Sequence, residues 1–402
     1  MNQTTVPLSS LFQIGSSKRV LKSQWKEYGV PFYRGREVTR LTLDGFVDNE
    51  LFISEEHYNE LAAKSGVPDA GDIVITAIGT IGNSYVVQEN DRFYFKDASI
   101  LWMKKKSEVS SQFVNLWLKS PLFFEQLDRG NGATVDTLTI QKLQNIKIAL
   151  PNICELQRFV TLLVNVFEAI AYARAKSEKN RQNARALFET YLQTIFSHRG
   201  QDWFEKALGE MADFRNGVNF TKSSKGQPIN ILGVKDFKDH YWAPLDSLDS
   251  IIPDGILSES DTLQEDDIVF VRSNGNPELI GRCVLIGEIH ERTTFSGFTI
   301  RARQFTEEVI PKYLCHFLKS SHIRRELVDS GNGANIRSLN QGALSRLRVN
   351  FPTKISDQHR IIEQLETMQA ETQRLEFLYQ RKIDALDELK QSILYQAFSG
   401  QL

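Results

Sequence analysis

The chain has 402 residues, 41% hydrophobic and 24% charged, with a formal net charge of −2. That length and apolar content can bury at least two ordinary cores, and the near-neutral balance gives no global signature of nucleic-acid binding. Three cysteines, Cys154, Cys283 and Cys315, are widely spaced and odd in number, which argues against a disulfide framework or a zinc cluster and fits a reducing cytoplasm. The most apolar stretch, Val160 to Ala173, contains Thr161, Asn165 and Glu168 and is too short for a membrane span. Met1 to Val6 lacks a basic region followed by an apolar one. The expectation is a cytoplasmic protein with no membrane contact.

Residues 1–151 are predicted as one globular domain of short strands broken by glycine, with a helix or two among them. Its first forty residues are the most basic stretch, with Lys18, Arg19, Lys22, Lys26, Arg34, Arg36 and Arg40 set against Glu27 and Glu37. Trp25, Tyr28, Phe32 and Tyr33 are interleaved with them, a pattern suited to phosphate neutralisation with stacking contacts. Strands are expected at Asp72-Ile73-Val74-Ile75 and Tyr85-Val86-Val87, and a helix over 113–127. Residues 152–200 contain no proline and no glycine from Ile153 to Ser197, which predicts one long helix. Asn152 and Glu155 have capping-box spacing, and Gly200 lies where the helix should stop.

Residues 201–352 then repeat the first domain and residues 353–402 the helix. Gly130-Asn131-Gly132-Ala133 returns as Gly331-Asn332-Gly333-Ala334, an offset of 201. In that register Leu138 answers Leu339, Pro151 answers Pro352 and Gln157 answers Gln358, while Phe196-Ser197 and Phe398-Ser399 are offset by 202. The fold class expected is α+β (mixed α/β), as two tandem similar domains separated by two long antiparallel coiled-coil helices with pseudo-twofold symmetry. Leu163, Ile170, Leu187, Leu365, Leu375, Leu386 and Leu389 are placed on the helical seam, with Thr372 and Lys382 interrupting it.

Catalytic constellations do not emerge. Asn276-Pro277-Glu278 has the wrong chemistry for an amine methylase, Glu388-Leu389-Lys390 sits inside a helix, and the seven histidines lack metal-ligand spacing. Binding residues are the alternative. In the first domain Lys18, Arg19, Lys22, Arg34, Arg36, Arg40, Thr80 and Asn131 are candidates for contact with DNA. In the second they are Lys222, Lys225, Arg272, Asn274, Arg282 and Asn332, because arginine and asparagine can pair bidentately with guanine and adenine edges.

The duplicated order carries a resemblance. It comprises Asp72-Ile73-Val74 with Gly79-Thr80-Ile81-Gly82, then Leu118-Lys119-Ser120, the Gly-Asn-Gly-Ala turn and Pro151. The second copy supplies Asp267-Ile268-Val269, Gly281, Leu318-Lys319-Ser320, Gly331 to Ala334 and Pro352. Over essentially the whole chain this layout resembles the specificity subunit of type I restriction–modification enzymes. The resemblance implies a non-catalytic subunit whose two target-recognition domains each read half of a bipartite, asymmetric double-stranded DNA site. It also implies helices that set the spacing and dock two methyltransferase subunits, with motor-nuclease subunits completing the complex. Cofactor is expected on the partner, as S-adenosylmethionine on the methyltransferase, and none in this chain. The competing expectation is a duplicated protein-interaction scaffold that does not bind nucleic acid.

Overall fold

The computed structural model describes residues 4–127, 137–150, 153–197, 202–221, 224–238, 240–253, 255–329 and 338–401. The chain divides into two units, residues 1–177 with 381–402 and residues 178–380.

In chain order the first unit contains β1 (Thr4–Pro7), the one-turn helix α1 (Leu8–Leu11), β2 (Phe12–Gly15), β3 (Val30–Tyr33), α2 (Gly35–Asp44), β4 (Phe52–Ile53) and α3 (Glu55–Ser65). It continues with β5 (Ile73–Thr76), β6 (Ser84–Val86), β7 (Tyr94–Phe95), β8 (Ile100–Lys105), α4 (Ser111–Leu118), α5 (Pro121–Leu127), α6 (Ile140–Asn145) and β9 (Lys147–Leu150). Helix α7 (Ile153–Ser197) follows. An antiparallel sheet of order β2-β8-β5-β6 forms the centre, and a smaller sheet β4-β3-β7 lies apart from it. β5 reads Ile-Val-Ile-Thr because it is covered on both faces, so alternation with polar residues would bury unpaired groups. Ile73, Ile75, Leu101 and Met103 pack beneath α4 and α5, whereas Val74, Ile100 and Trp102 meet Val38, Phe93 and Phe95 on the opposite face. Asp72, buried just ahead of β5, accepts from Trp102 Nε1 and Lys105 N at 2.8 Å each.

The expected helix over 113–127 is two helices. Ser120 explains the break: its N–H and hydroxyl both donate to Trp117 O, at 2.9 and 2.7 Å, closing α4 before Pro121 opens α5. Ser320 does the same at Phe317 O in the second unit, which gives the repeated Leu-Lys-Ser a structural meaning.

The second unit repeats the scheme. It contains β10 (Trp203–Ala207), β11 (Ala212–Asn216), β12 (Ile229–Leu232), β13 (Asp249–Ile251), β14 (Ile268–Val271), β15 (Cys283–Leu285), β16 (Thr293–Phe295) and β17 (Thr299–Gln304). Then come α8 (Pro311–Lys319), α9 (Ser321–Asp329), α10 (Gln341–Arg346), β18 (Arg348–Pro352) and α11 (Ile355–Ser399). Its sheets, β11-β17-β14-β15 and β13-β12-β16, match those of the first unit strand for strand. Asp267 replaces Asp72, but its partner is Arg303, held by two hydrogen bonds of 2.7 Å. Short 3-10 turns at Val234–Asp236 and Glu259–Asp261 stand where the first unit has helices α2 and α3.

Each unit contains a stretch of both long helices, running antiparallel. In the first, Arg174 Nε meets Asp387 at 3.0 Å, and Phe159 packs on Phe398 with ring centroids 6.0 Å apart. In the second, Arg185 meets Glu376 at 2.5 Å, while Leu192 and Phe196 share a core with Ile361 and Leu365. Gly400, at φ +78°, ends α11 in the left-handed conformation that glycine accepts without strain.

Burial corrects the expected seam in two ways. Leu163, Ile170 and Leu365 are buried and Leu386 half-buried, but Leu187, Leu375 and Leu389 are 50%, 37% and 47% exposed. Neighbours one or more residues away, Phe188, Thr372 and Ile383, turn inward instead. Thr372 therefore belongs to the seam: it is 3% exposed, and its hydroxyl donates to Met368 O within the helix. Second, the helices repeat at an offset of 202 throughout. Leu156 and Gln358 are both buried, as are Leu163 and Leu365, whereas Gln157 is exposed. Gln358 is thus the equivalent of Leu156, and the extra residue enters between Pro352 and the start of α11. Asn131, Asn152, Gly200, Lys222, Asn332 and the side chain of Glu155 lie outside the described residues.

By length and composition Leu156–Ser197 is apolar enough to cross a membrane, yet Leu156, Val160 and Leu163 are buried in the core of the first unit.

Candidate nucleic-acid interface

Five connections meet at one edge of the first unit. The segment leaving β2 is tied to the β7–β8 turn: Ser17 Oγ donates to Phe95 O at 2.6 Å, Lys18 N to Tyr94 Oη at 2.8 Å, and Ala98 N to Ser16 Oγ at 3.2 Å. Lys96 N donates to Tyr33 O at 2.8 Å, joining the same turn to the start of α2. Ala77 N donates to Ser99 O at 2.9 Å, and Ala77 O accepts from Leu138 N at 2.8 Å. The β5–β6 turn and the chain beyond residue 136 are thereby drawn to the same edge.

The second unit builds its edge with equivalent bonds. Val218 N donates to Phe295 O at 2.8 Å, Ser296 N to Leu232 O at 3.0 Å, Arg272 N to Phe298 O at 2.8 Å, and Leu339 N to Arg272 O at 2.9 Å. Gly217 is required there, since a Cβ would lie 2.2 Å from Ser296 O. The scaffold is conserved between the units and its side chains are not. Ala77 and Ser99 in one correspond to Arg272 and Phe298 in the other.

Among the sequence-predicted residues, Lys18, Arg19 and Lys22 are exposed on the segment leaving β2, and Arg40 is exposed on α2. Thr80 is exposed at the tip of the β5–β6 turn, where its carbonyl accepts from Thr76 Oγ1. Arg34 and Arg36 are placed differently from the expectation of free cations. Both grip the buried Glu37, at 2.8 and 3.0 Å, and Arg36 also reaches Glu50 at 2.7 Å. Burial pushes the Glu37 carboxyl up, but hydrogen bonds from the Arg34 side chain and backbone and from Arg36 outweigh it and hold the group below the usual carboxylate range.

In the second unit, Arg272 is half-buried and its side chain, among the described residues, makes one long hydrogen bond, Nη1 donating to Gly297 O at 3.5 Å. Asn274 Oδ1 accepts from Asn276 N at 2.8 Å and Asn276 Oδ1 from Glu278 N at 3.0 Å, so both amides shape the inserted 3-10 turn Pro277–Leu279. Arg282 is held against backbone, Nη1 donating to Lys238 O at 2.7 Å, and braces this turn. Lys225 lines a cavity of about 690 Å³ with Pro228, Ile256 and Arg292, none of them among the residues bonded at the edge. Part of the acidic run from Asp236 to Asp267 is committed internally: Asp249 pairs with Lys235, Asp261 with Arg215 and Asp267 with Arg303. Among the described residues, no group of three or more His, Cys, Asp or Glu is placed to hold a metal ion.

Two residues at these edges escaped the sequence reading. Lys96, on the β7–β8 turn, is exposed, and Phe298 is 61% exposed on the matching β16–β17 turn. Neither stands in a cluster, so only the duplicated architecture could have marked them.

Fold and edges together define a duplicated recognition module: one scaffold used twice, presenting two different sets of side chains. The family model of the type I restriction modification DNA specificity domain matches residues 2–179 and again residues 200–380. The chain belongs to this specificity-subunit family and carries two of its domains in tandem. It is 22% identical over 75% of its length to the type I restriction enzyme EcoKI specificity subunit of Escherichia coli K12 and, with the same identity and share, to the StySPI specificity subunit of Salmonella potsdam. Each of those alignments covers 67% of the relative. A Haemophilus influenzae chain named as a type I specificity subunit is 28% identical over 45% of this chain, which spans about half (46%) of that relative's length. The fold is shared with a chain solved in work on assembly and conformational transition of the type I R-M system, at TM-score 0.75 and 16% identity over 100% of this chain and 98% of that one. It is also shared with the HsdS subunit of Thermoanaerobacter tengcongensis, at TM-score 0.57 and 17% identity over 100% and 97%.

Proposed function

We propose that this chain reads a bipartite, asymmetric double-stranded DNA site, one half with each five-connection edge, as the non-catalytic subunit of a cytoplasmic modification and restriction complex. The observation that carries the reading is the pairing of one backbone scaffold with two unlike side-chain sets, Ala77 with Ser99 and Arg272 with Phe298. Identical edges would suit a palindrome; unlike edges suit two different half-sites. Net charge of −2 suits a reader that relies on partner subunits to surround the duplex.

Catalysis belongs, on this reading, to two methyltransferase subunits that carry S-adenosylmethionine, with motor-nuclease subunits completing the complex. Leu187 and Leu389, equivalent at the helix offset of 202, are both exposed apolar residues, 50% and 47% accessible. Matched contacts of this kind suit two copies of one partner. Replacing both with lysine lowers the number of methyltransferase subunits that co-purify while leaving the melting temperature of the chain within about 2 °C. Undiminished stoichiometry refutes that docking surface.

The reading as a whole is tested by binding of the chain, co-expressed with its methyltransferase, to duplex DNA of the host genome. Sequence-selective binding that weakens steeply with salt is the expected result. A complex that assembles but shows no selectivity leaves the protein scaffold as the surviving explanation.

A further inference from the structure

The β16–β17 turn presents an aromatic side chain on an unusually fixed backbone. Phe298 is 61% exposed, yet its carbonyl accepts from Arg272 N at 2.8 Å and from Ser273 N at 3.3 Å, and its N–H donates to Ser296 Oγ at 3.3 Å. On either side, Gly297 N donates to Val218 O and Thr299 N to Ser296 O, both at 2.8 Å. The ladder that pairs Ile268 with Ala302 ends at Val271 with Thr299, and the next step in the same register, the bond from Arg272 N to Phe298 O, sets these two residues against each other. Residues opposed in register share a sheet face, with Cβ atoms about 5 Å apart within a ladder, and this pair stands one step past its end. A guanidinium with one long hydrogen bond and an exposed ring therefore stand side by side on a rigid ledge.

The ledge has a built-in comparison. In the first unit the same backbone bond joins Ala77 to Ser99, small residues with neither charge nor ring. Hydrophobic exposure at a rigid loop tip serves no purpose in packing, since Phe298 is absent from the buried cores of its unit. The chemistry of the pair is complementary to one kind of base step. Arginine forks onto the O6 and N7 acceptors of guanine, and an apolar ring contacts the C5-methyl of thymine in the major groove.

We propose that Arg272 and Phe298 are the specificity-determining pair of the second domain, reading a guanine with an adjacent thymine in one half-site. The inference rests on the DNA-reading function above. It assigns no such pair to the first domain, whose half-site is read by other side chains.

The test is methylation mapping of chromosomal DNA from a methylation-free bacterial host that expresses the chain with its methyltransferase. Wild type, Phe298→Ser (the residue of the first domain), Phe298→Leu and Arg272→Ala are compared. If wild type marks no bipartite motif, the DNA-reading function itself fails and this pair is not at issue. If it does, one half should contain guanine beside thymine; a motif with no such step in either half overturns the proposal. Phe298→Ser should lower the thymine-over-cytosine preference by roughly fourfold, about the value of one buried methyl group. Arg272→Ala should make the neighbouring guanine degenerate, a loss of about tenfold or more, in the same half. The other half and the gap should stay unchanged. An unaltered motif in both variants, or effects falling in different halves, overturns the assignment. Should Phe298→Ser abolish methylation, Phe298→Leu decides: a restored motif degenerate at thymine supports the pair, and one identical to wild type refutes it. If Leu also abolishes methylation, an assembled complex of normal melting temperature supports the contact and an unassembled one refutes it.

Discussion

Arg34 and Arg36 show how a charge pattern changes meaning once its carboxylates are located. In the sequence they extend a basic run; in the structure they hold Glu37, a carboxylate only 1% exposed at the start of α2. Replacing both with alanine would leave a buried anion unpaired, so lost DNA binding in that variant would report unfolding as readily as lost contact. Lys18→Ala with Arg40→Ala is the cleaner probe: DNA affinity should fall and its salt dependence flatten, at unchanged thermal stability. Glu37→Gln, by contrast, should cost roughly 2 kcal/mol. Because the Glu37 carboxyl is held below its unfolded value, that contribution is present above the unfolded pKa and is lost as pH falls through the folded one. His316 adds a second acid sensitivity. Burial, then Lys319 and Lys312, lower its pKa from 6.5 to about 4, and its Nε2 has no partner among the described residues. Between those values the unfolded chain binds the proton and the folded one does not, so up to about 3 kcal/mol of stability disappears as pH falls from 6.5 to 4. His316→Phe keeps the ring against Tyr241, whose centroid lies 4.5 Å away, and should flatten that slope in denaturation curves measured across the window.

At the scale of elements, the long helices were legible because 45 residues without proline or glycine admit few alternatives. Their seam was not, because leucine spacing alone cannot show on which side of a helix the partner lies. Leu187 and Leu389 fit a step of three or four as well as their inward neighbours do, and Thr372 looked like an interruption because its hydroxyl is satisfied inside its own helix, at 2.9 Å from Met368 O. Its repeat equivalent is Ile170, also buried. Thr372→Val should therefore stabilise the chain by about 0.5–1 kcal/mol, seen as a raised denaturation midpoint with unchanged slope; destabilisation would mean that the hydroxyl has a role beyond its own helix. The order of elements was equally legible from the repeat, each half running from its strands and short helices into one long helix. The candidate interface was only partly so: Lys18 and Arg272 fall at the edges proposed to read DNA, but Lys96 and Phe298 are single residues in turns, placed there by backbone pairing that no local pattern encodes.

For the whole molecule, the decisive question is whether the helices fix the gap between half-sites. A seven-residue deletion is the informative change, because 7 × 100° differs from two full turns by only about 20°, so seam residues keep facing their partner. Residues 168–174 and 387–393 face each other through Arg174 and Asp387. Removing both sets places Ser177 where Ile170 stood and Leu394 where Asp387 stood, and retains the packing of Phe159 on Phe398. Each helix shortens by about 10.5 Å, which corresponds to roughly three base pairs of B-DNA at about 3.4 Å each. If the helices act as spacer, methylation mapping of the double deletion returns the wild-type half-sites with a gap shorter by about three base pairs. Deleting only one set breaks the register along the seam and should abolish assembly, which separates spacing from folding. A double deletion that folds, assembles and methylates with the original gap shows that the helices do not measure the DNA, whatever the two edges read.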